Sequence, residues 1–249
     1  MWHNGALHEE SAEPNRPLWV VDSWLLDEGE VRGLALHRDR FVNGCREADK
    51  KAPDEVLGFW LEMCRALPRT GRWFPRAELS GHPKKLRAVI RPCPDTGGEV
   101  VLWPCLDPRN SPRRKGPDVP ALANARQNAL VRGAHDAVLL TKSGALLEAA
   151  HGALLWWSGE RICMPVHDDL LLPSVTLRLI RQLASRDGVP IARVDAQLQD
   201  LANCEVWYAN ALHGIRLVRS WLGSPVRLGE SVRAARWQDA LTELREPLP

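Results

Sequence analysis

Between Asp107 and Pro120 the chain reads DPRNSPRRKGPDVP, with four prolines and one glycine in 14 residues and no apolar periodicity. Each proline fixes φ and removes a backbone donor, so neither a long helix nor a central strand runs through such a stretch. The chain therefore builds on either side of it. With 249 residues, 45% of them apolar, there is enough material for two modest cores. The run of elements predicts a small N-terminal α+β domain over 1–106, a linker over 107–114 and a larger C-terminal α/β domain over 115–249.

In the first part, LWVVDSWLL (18–26) is a strand-type run. A helix follows from His37, with Leu36, Arg40 and Phe41 spaced for one face, and a second covers Asp54 to Ala66 with Val56, Leu57, Trp60, Leu61 and Cys64 as its apolar stripe. GRWFPRAEL and KLRAVIRP read as half-buried strands, and EVVLWPCL is expected to pair with them. In the second part a helix over Pro120 to Arg132 leads into a meander of AVLLT, ALLEAAHGALLWW and RICMPV. LLPSVTLRLIRQLASRDG then reads as a helix, with Pro173 and Ser174 as the start, Leu177, Ile180, Leu183 and Ala184 inside, and Gly188 as the stop. The strand PIARVD, a helix around Ala196 to Leu201, the strands EVWYANAL and HGIRLVRSWLG, and a final helix over Gly229 to Leu244 complete the chain.

Charge and composition remove several function classes. Lys plus Arg number 33 against 31 Asp plus Glu, and a net charge of +2 gives no electrostatic reason for a nucleic acid or an anionic membrane as partner. No apolar run approaches the length of a membrane span and the first residues lack a basic, then apolar, leader, so a soluble cytoplasmic protein acting on a small molecule is expected. Six widely spaced cysteines without a CxxC pair argue against a zinc ribbon or a disulfide framework and read as buried thiols; no histidine spacing marks a metal site. Eleven Trp stand against a single Tyr, Tyr208, so chemistry needing several phenols is excluded.

The order of several motifs resembles the class IV (fold type IV) pyridoxal-phosphate enzymes, the group that holds branched-chain and D-amino acid aminotransferases and 4-amino-4-deoxychorismate lyase. Trp2-His3-Asn4-Gly5, Val21-Asp22-Ser23 and His37-Arg38-Asp39-Arg40-Phe41 resemble its opening, its Phe-Glu-Thr strand and its His-x-x-Arg-Leu helix start. The resemblance implies a two-domain mixed α/β fold like that of D-amino acid aminotransferase, pyridoxal 5'-phosphate as cofactor, and a homodimer. It implies that Lys115 holds the cofactor as a Schiff base and that Glu148, 148 − 115 = 33 residues on, contacts the pyridine nitrogen. By composition alone, Lys115 is one of a basic cluster that a solvated surface explains equally. Cofactor contacts carry over to Arg40, to Ser174, Val175 and Thr176 in a match to the Leu-Pro-Gly-Ile-Thr-Arg helix entry, and to Asn210 and Ala211 in the stretch Asn210-Ala211-Leu212-His213-Gly214-Ile215-Arg216. Substrate contacts carry over to Arg91, in Ala88-Val89-Ile90-Arg91-Pro92, and to His213 and Gly214. A guanidinium fork and the exposed N–H groups of a helix start both suit a phosphate.

Three positions depart from the family pattern. Ala153 stands where an asparagine is expected, Leu177 where an arginine closes the helix entry, and Pro120 where branched-chain aminotransferases carry a tyrosine. With the NALHGIR stretch, the missing tyrosine turns the expectation toward a lyase like 4-amino-4-deoxychorismate lyase, which releases pyruvate and leaves an aromatic amine. A class IV aminotransferase is the alternative, and Ala153 with Leu177 leaves open a non-catalytic family member. His135 at a turn reads as structural, whereas His151 and His213 fall close to the expected ligand positions.

Overall fold

The computed structural model describes residues 1–3, 5–9, 16–49 and 53–249, so Asn4 of the opening motif lies outside the described residues. Two compact units result: the first comprises Met1–Asp95, Arg114–Val119 and Leu244–Pro249, the second Thr96–Arg113 and Pro120–Glu243.

The first unit runs through β1 (Trp2–His3), β2 (Ala6–Leu7), β3 (Leu18–Ser23), β4 (Leu26–Asp27), β5 (Glu30–Arg32), α1 (Leu34–Asp49), α2 (Pro53–Ala66), β6 (Arg72–Trp73), β7 (Arg76–Ser80) and β8 (Lys85–Val89). LWVVDSWLL is thus not one strand: β3 joins the sheet β3-β7-β8, while β4 pairs with β5 and β6. The first helix starts three residues before His37, and its buried face is His37, Phe41 and Cys45, at i, i+4 and i+8. In α2 the buried residues are Val56, Phe59, Trp60, Met63 and Cys64, whereas Leu61, expected inside, is exposed. These faces meet in a core where Trp24 stacks 4.9 Å from Trp60 and Phe41 lies 5.8 Å from it. Aromatic rings at such separations add to the area they bury.

The second unit holds β9 (Glu99–Leu106), α3 (Val119–Val131), β10 (Asp136–Leu140), β11 (Leu146–Ala149), β12 (Ala153–Ser158), β13 (Arg161–Pro165), α4 (Val175–Arg186), β14 (Ile191–Val194), β15 (Val206–Asn210), β16 (Gly214–Trp221) and α5 (Ala234–Thr242). Eight strands form one sheet in the order β11-β10-β9-β16-β15-β12-β13-β14. EVVLWPCL, expected beside the strands of the first part, is instead β9 in this sheet, parallel to β10 and β16. Its pattern at the sequence level is the same in either place, because alternation specifies a half-buried strand and not its neighbour. The bridge between Ala149 and Gly152 brings the edge strand β11 back beside β12, so the sheet curls. In α4 the inner face runs through Val175, Thr176, Leu179, Ile180, Leu183 and Ala184; Leu177 is only half-buried. The final helix is shorter than expected, and the helix around Ala196 is a single 3-10 turn, Leu198–Leu201. After α5 the chain returns to the first unit as β17 (Arg245–Pro247), antiparallel to β5.

The start of α5 is held by a carboxylate from elsewhere. Glu205, buried just before β15, accepts from the backbone N–H groups of Val232 (3.1 Å), Arg233 (3.0 Å) and Ala234 (2.8 Å) and from the Trp207 indole N–H (2.9 Å). It does the work of an N-cap. Trp157, Trp207 and Trp237 pack on one another with centroids 5.6 to 5.8 Å apart, and the Arg233 guanidinium lies 4.4 Å over Trp157. Replacing Glu205 by Ala strands these donors, so stability should fall by roughly 1–3 kcal/mol. Thermal unfolding should shift down by about 2–4 °C per kcal/mol, with loss of near-ultraviolet tryptophan ellipticity. Glu205→Gln, which keeps an acceptor, should lose less.

Candidate active site

In the first unit the polar centre is Asp22. Strand alternation turns Val20 and Asp22 toward α1, and Asp22 is fully buried there. Its Oδ2 accepts from Arg40 Nε at 2.7 Å, and its Oδ1 from Arg40 Nη2 at 2.8 Å, a fork-to-fork pair. His37 Nδ1 lies 2.7 Å from Oδ1. Positions 37 and 40 are three apart on α1, so both side chains reach one carboxylate. Burial works to raise the Asp22 carboxyl, but Arg40 and His37 outweigh it and hold it well below the usual carboxylate range. Burial lowers the His37 imidazole, and the charges of Arg40 and Lys115 add to that, against the opposing pull of Asp22.

Lys115 belongs to the same unit. Its carbonyl accepts the Val21 N–H at 2.7 Å, so the segment lies along β3, one residue from Asp22. Gly116 is needed for that approach: a Cβ there would lie 2.5 Å from the Trp19 carbonyl oxygen and 2.8 Å from Val20 N. Sequence reading marked Lys115 and Arg40 but gave no role to Asp22, His37 or Gly116, whose signal is contact and not spacing. Arg91, the candidate substrate arginine, contacts Phe74. Its Nε donates to the Phe74 carbonyl at 3.1 Å and its guanidinium sits 5.0 Å over the Phe74 ring; burial and the Arg76 charge lower its proton affinity.

In the second unit Glu148 on β11 is buried, and its Oε1 accepts from Arg109 Nη1 and from Leu172 N at 2.9 Å. Leu172 stands two residues before Ser174, which caps α4: the Ser174 Oγ accepts Leu177 N at 3.2 Å. A buried carboxylate and a helix N-terminus with its first-turn N–H groups are therefore neighbours. Val175 and Thr176 are buried at that helix start, Leu177 is half-buried and Arg178 is exposed, so Arg178 does not replace the arginine of the family pattern. Ala153, buried opposite Ala209, brings no polar group.

The 210–214 turn is a separate network. Asn210 Oδ1 accepts Leu212 N (3.1 Å) and His213 N (2.8 Å), and its Nδ2 donates to His151 O and to Tyr208 Oη, both at 3.0 Å. Asn210 thereby shapes the turn that carries Ala211, His213 and Gly214, the last at φ +76°. Tyr208 in turn donates to Asp136 Oδ2 at 3.0 Å, and burial with the Asp136 charge pushes the phenol far up, so it stays protonated. His151 lies 3.3 Å from Asp136 through Nδ1. His135 accepts Val101 N at 2.9 Å, a structural role as expected. Among the described residues no disulfide and no cluster fit for a metal ion occurs.

Two outcomes follow from this geometry. Gly116→Ala should cost about 1–3 kcal/mol through the clash with the β3 backbone, read by chemical denaturation, whereas Gly98→Ala, with open space around it, should be near neutral. For His37 and Asp22 the folded state binds protons less readily than the unfolded chain. Their stabilisation is present above the unfolded values and lost on acidification, so the denaturation midpoint should fall from about pH 6.5 downward as His37 is forced to charge, and further below about pH 4 through Asp22. A His37→Asn variant should lack the first of these losses.

The sequence matches the profile described as amino-transferase class IV over residues 19–221. No curated protein matches it. Similar solved structures include a putative 4-amino-4-deoxychorismate lyase from Legionella pneumophila, at 14% identity and TM-score 0.75, covering 90% of each chain. A hypothetical aminotransferase from Mycobacterium tuberculosis, in a form with α-ketoglutarate and PMP bound, is similar at 14% identity and TM-score 0.76, over 94% of this chain and 95% of that one. A fold IV transaminase from Curtobacterium pusillum is similar at 15% identity and TM-score 0.74, over 95% and 88%. At these identities the likeness is one of fold, the mixed α/β fold of type IV. The profile spans most of the chain and the fold agrees with it: the chain belongs to the class IV aminotransferase family of pyridoxal-phosphate enzymes.

Proposed function

We propose that this protein is a pyridoxal-phosphate enzyme of lyase type, acting on a small amino substrate as 4-amino-4-deoxychorismate lyase does. The observation that carries the cofactor reading is the buried Glu148 carboxylate hydrogen-bonded to Leu172 N, two residues ahead of the α4 N-terminus. An acceptor for a protonated ring nitrogen and a set of N–H groups for a phosphate stand within a few residues of each other, and they fit the two ends of this cofactor. When bound, the cofactor supplies an electron sink for the bond broken at the substrate carbon.

In this reading the chain's own groups hold the cofactor and move protons. Lys115 would hold the cofactor through its ε-amine, and that amine, when free, would take a proton from the substrate and return one. Glu148 keeps the ring nitrogen protonated. Arg40, oriented by its fork to Asp22, is assigned to the phosphate, as are Ser174, Val175 and Thr176 at the start of α4, and Asn210 and Ala211 are assigned to the cofactor. His213, Gly214 and Arg91 are assigned to the substrate. The lyase reading is supported by the NALHGIR turn, built by Asn210, and by Pro120 in place of the aminotransferase tyrosine. A homodimer in the cytoplasm is the assembly and location that go with it, and no helix among the described residues is long and apolar enough to cross a membrane.

A second reading, amino-group transfer to a 2-oxo acid, is favoured by the likeness to the Mycobacterium tuberculosis aminotransferase with α-ketoglutarate bound. Supplied with 4-amino-4-deoxychorismate, the yellow protein should release pyruvate and 4-aminobenzoate, and Lys115→Ala should be colourless and inactive. Exchange of amino groups between an amino acid and 2-oxoglutarate, without pyruvate release, would replace the lyase reading with the second one. A colourless wild type after incubation with the cofactor would sink both.

A further inference from the structure

Arg109 falls in the stretch that composition makes a linker, yet its side chain is only 3% exposed and ends between two carboxylates. Asp107, just past the end of β9, accepts from Nε and from Nη2, both at 2.8 Å, and its Oδ1 also accepts the backbone N–H of Arg109 at 3.0 Å. Nη2 further donates to the Leu170 carbonyl at 2.8 Å, and Nη1 donates to Glu148 Oε1. The same Glu148 oxygen takes Leu172 N, so two donors fix it from two directions. Other charges on the neighbouring segment are engaged elsewhere: Arg193 pairs with the Asp168 carboxylate and Arg113 donates to the Asp168 carbonyl. Arg109 is thus a cation that faces Glu148, with Asp107 on its far side.

A carboxylate that serves a ring nitrogen must be both ionised and aimed. In water a nearby cation does little for either, but burial removes the screening and makes a fixed guanidinium effective. A guanidinium held by a second carboxylate and a carbonyl has lost its own rotational freedom, so it passes its position on to its partner. We propose that Arg109 is the positioning residue for Glu148: braced by Asp107 and the Leu170 carbonyl, it orients the Glu148 carboxylate and keeps it ionised, so that the proton shared with the cofactor sits on the ring nitrogen. The inference rests on the function proposed above for Glu148, and it adds a residue that the sequence motifs described above do not include. The alternative is that Arg109 only ties the exit of β9 to residues 168–172.

Two measurements separate these. In the protein without cofactor, the Glu148 carboxyl is followed by carbon-13 NMR, its signal identified by loss in Glu148→Gln. Arg109→Met should move its titration midpoint up by about one pH unit or more, and Arg109→Lys, which keeps the charge but not the fork, should move it less. In the protein loaded with nitrogen-15 pyridoxal phosphate, the ring nitrogen should show a smaller pyridinium fraction at a given pH in Arg109→Met than in wild type. If Arg109→Met does not fold, Arg109→Gln, which retains an amide donor, takes its place in both measurements. A lowered unfolding temperature with an unmoved Glu148 titration overturns the proposal, as does a moved Glu148 titration with an unchanged ring nitrogen. A wild type that takes up no cofactor overturns the proposed function and the cofactor half of this inference, while the cofactor-free titration decides the pinning of Glu148 by itself.

Discussion

The parallel pairing of β9 with both β10 and β16 is the interaction on which the second unit depends. One eight-residue strand stands third in the eight-stranded sheet, between β10 and β16, and joins the β11-β10 edge to the remaining strands. A strand in that position is hydrogen-bonded along both edges, and parallel neighbours require the chain to cross over between them. The exit of β9 is where Asp107 and Arg109 stand, so the same pairing that places β9 between β10 and β16 also sets the guanidinium that meets Glu148 on β11. Structure and candidate chemistry share one strand end.

Both units bury carboxylates, and each satisfies them in the way burial demands. Asp22 has Arg40 and His37, Glu148 has Arg109 and Leu172 N, Glu205 has three backbone N–H groups and an indole, and Asp136 has Tyr208 Oη and His151 N. A charge taken out of water persists only with such partners. The chemistry of the partners differs, however. Glu205 is met by groups that cannot titrate near neutrality, which suits a fixed cap. Asp22 and Glu148 are met by guanidinium groups, which suits a site where an anion or a proton acceptor has to be held in one orientation.

Much of the element pattern was legible beforehand. The α4 entry at Pro173 and Ser174, the strand Glu99–Leu106 and the hairpin positions follow from capping chemistry and alternation, both local properties. The misses have a common cause. Leu61 and Leu177 look like core residues by spacing but are exposed or half-buried, because a helix has more apolar positions than the neighbouring sheet covers. The division of LWVVDSWLL between two sheets depends on partners 50 or so residues away, which no local pattern reports.

The sequence by itself determined the family, since order and spacing along the chain survive where overall identity is only 14 to 15%, and the family's motifs fall on Lys115, Glu148 and Arg40, the residues proposed above for the site. Only the tertiary structure decided what surrounds them. Asp22 against Arg40, Gly116 against the Trp19 carbonyl, Arg109 on Glu148 and Asn210 across to His151 all join residues that are far apart in sequence or carry no motif. Spacing encodes which side chains share a face of one element. Which face meets which is fixed by burial and hydrogen bonding summed over the whole unit, and that sum has no one-dimensional signature.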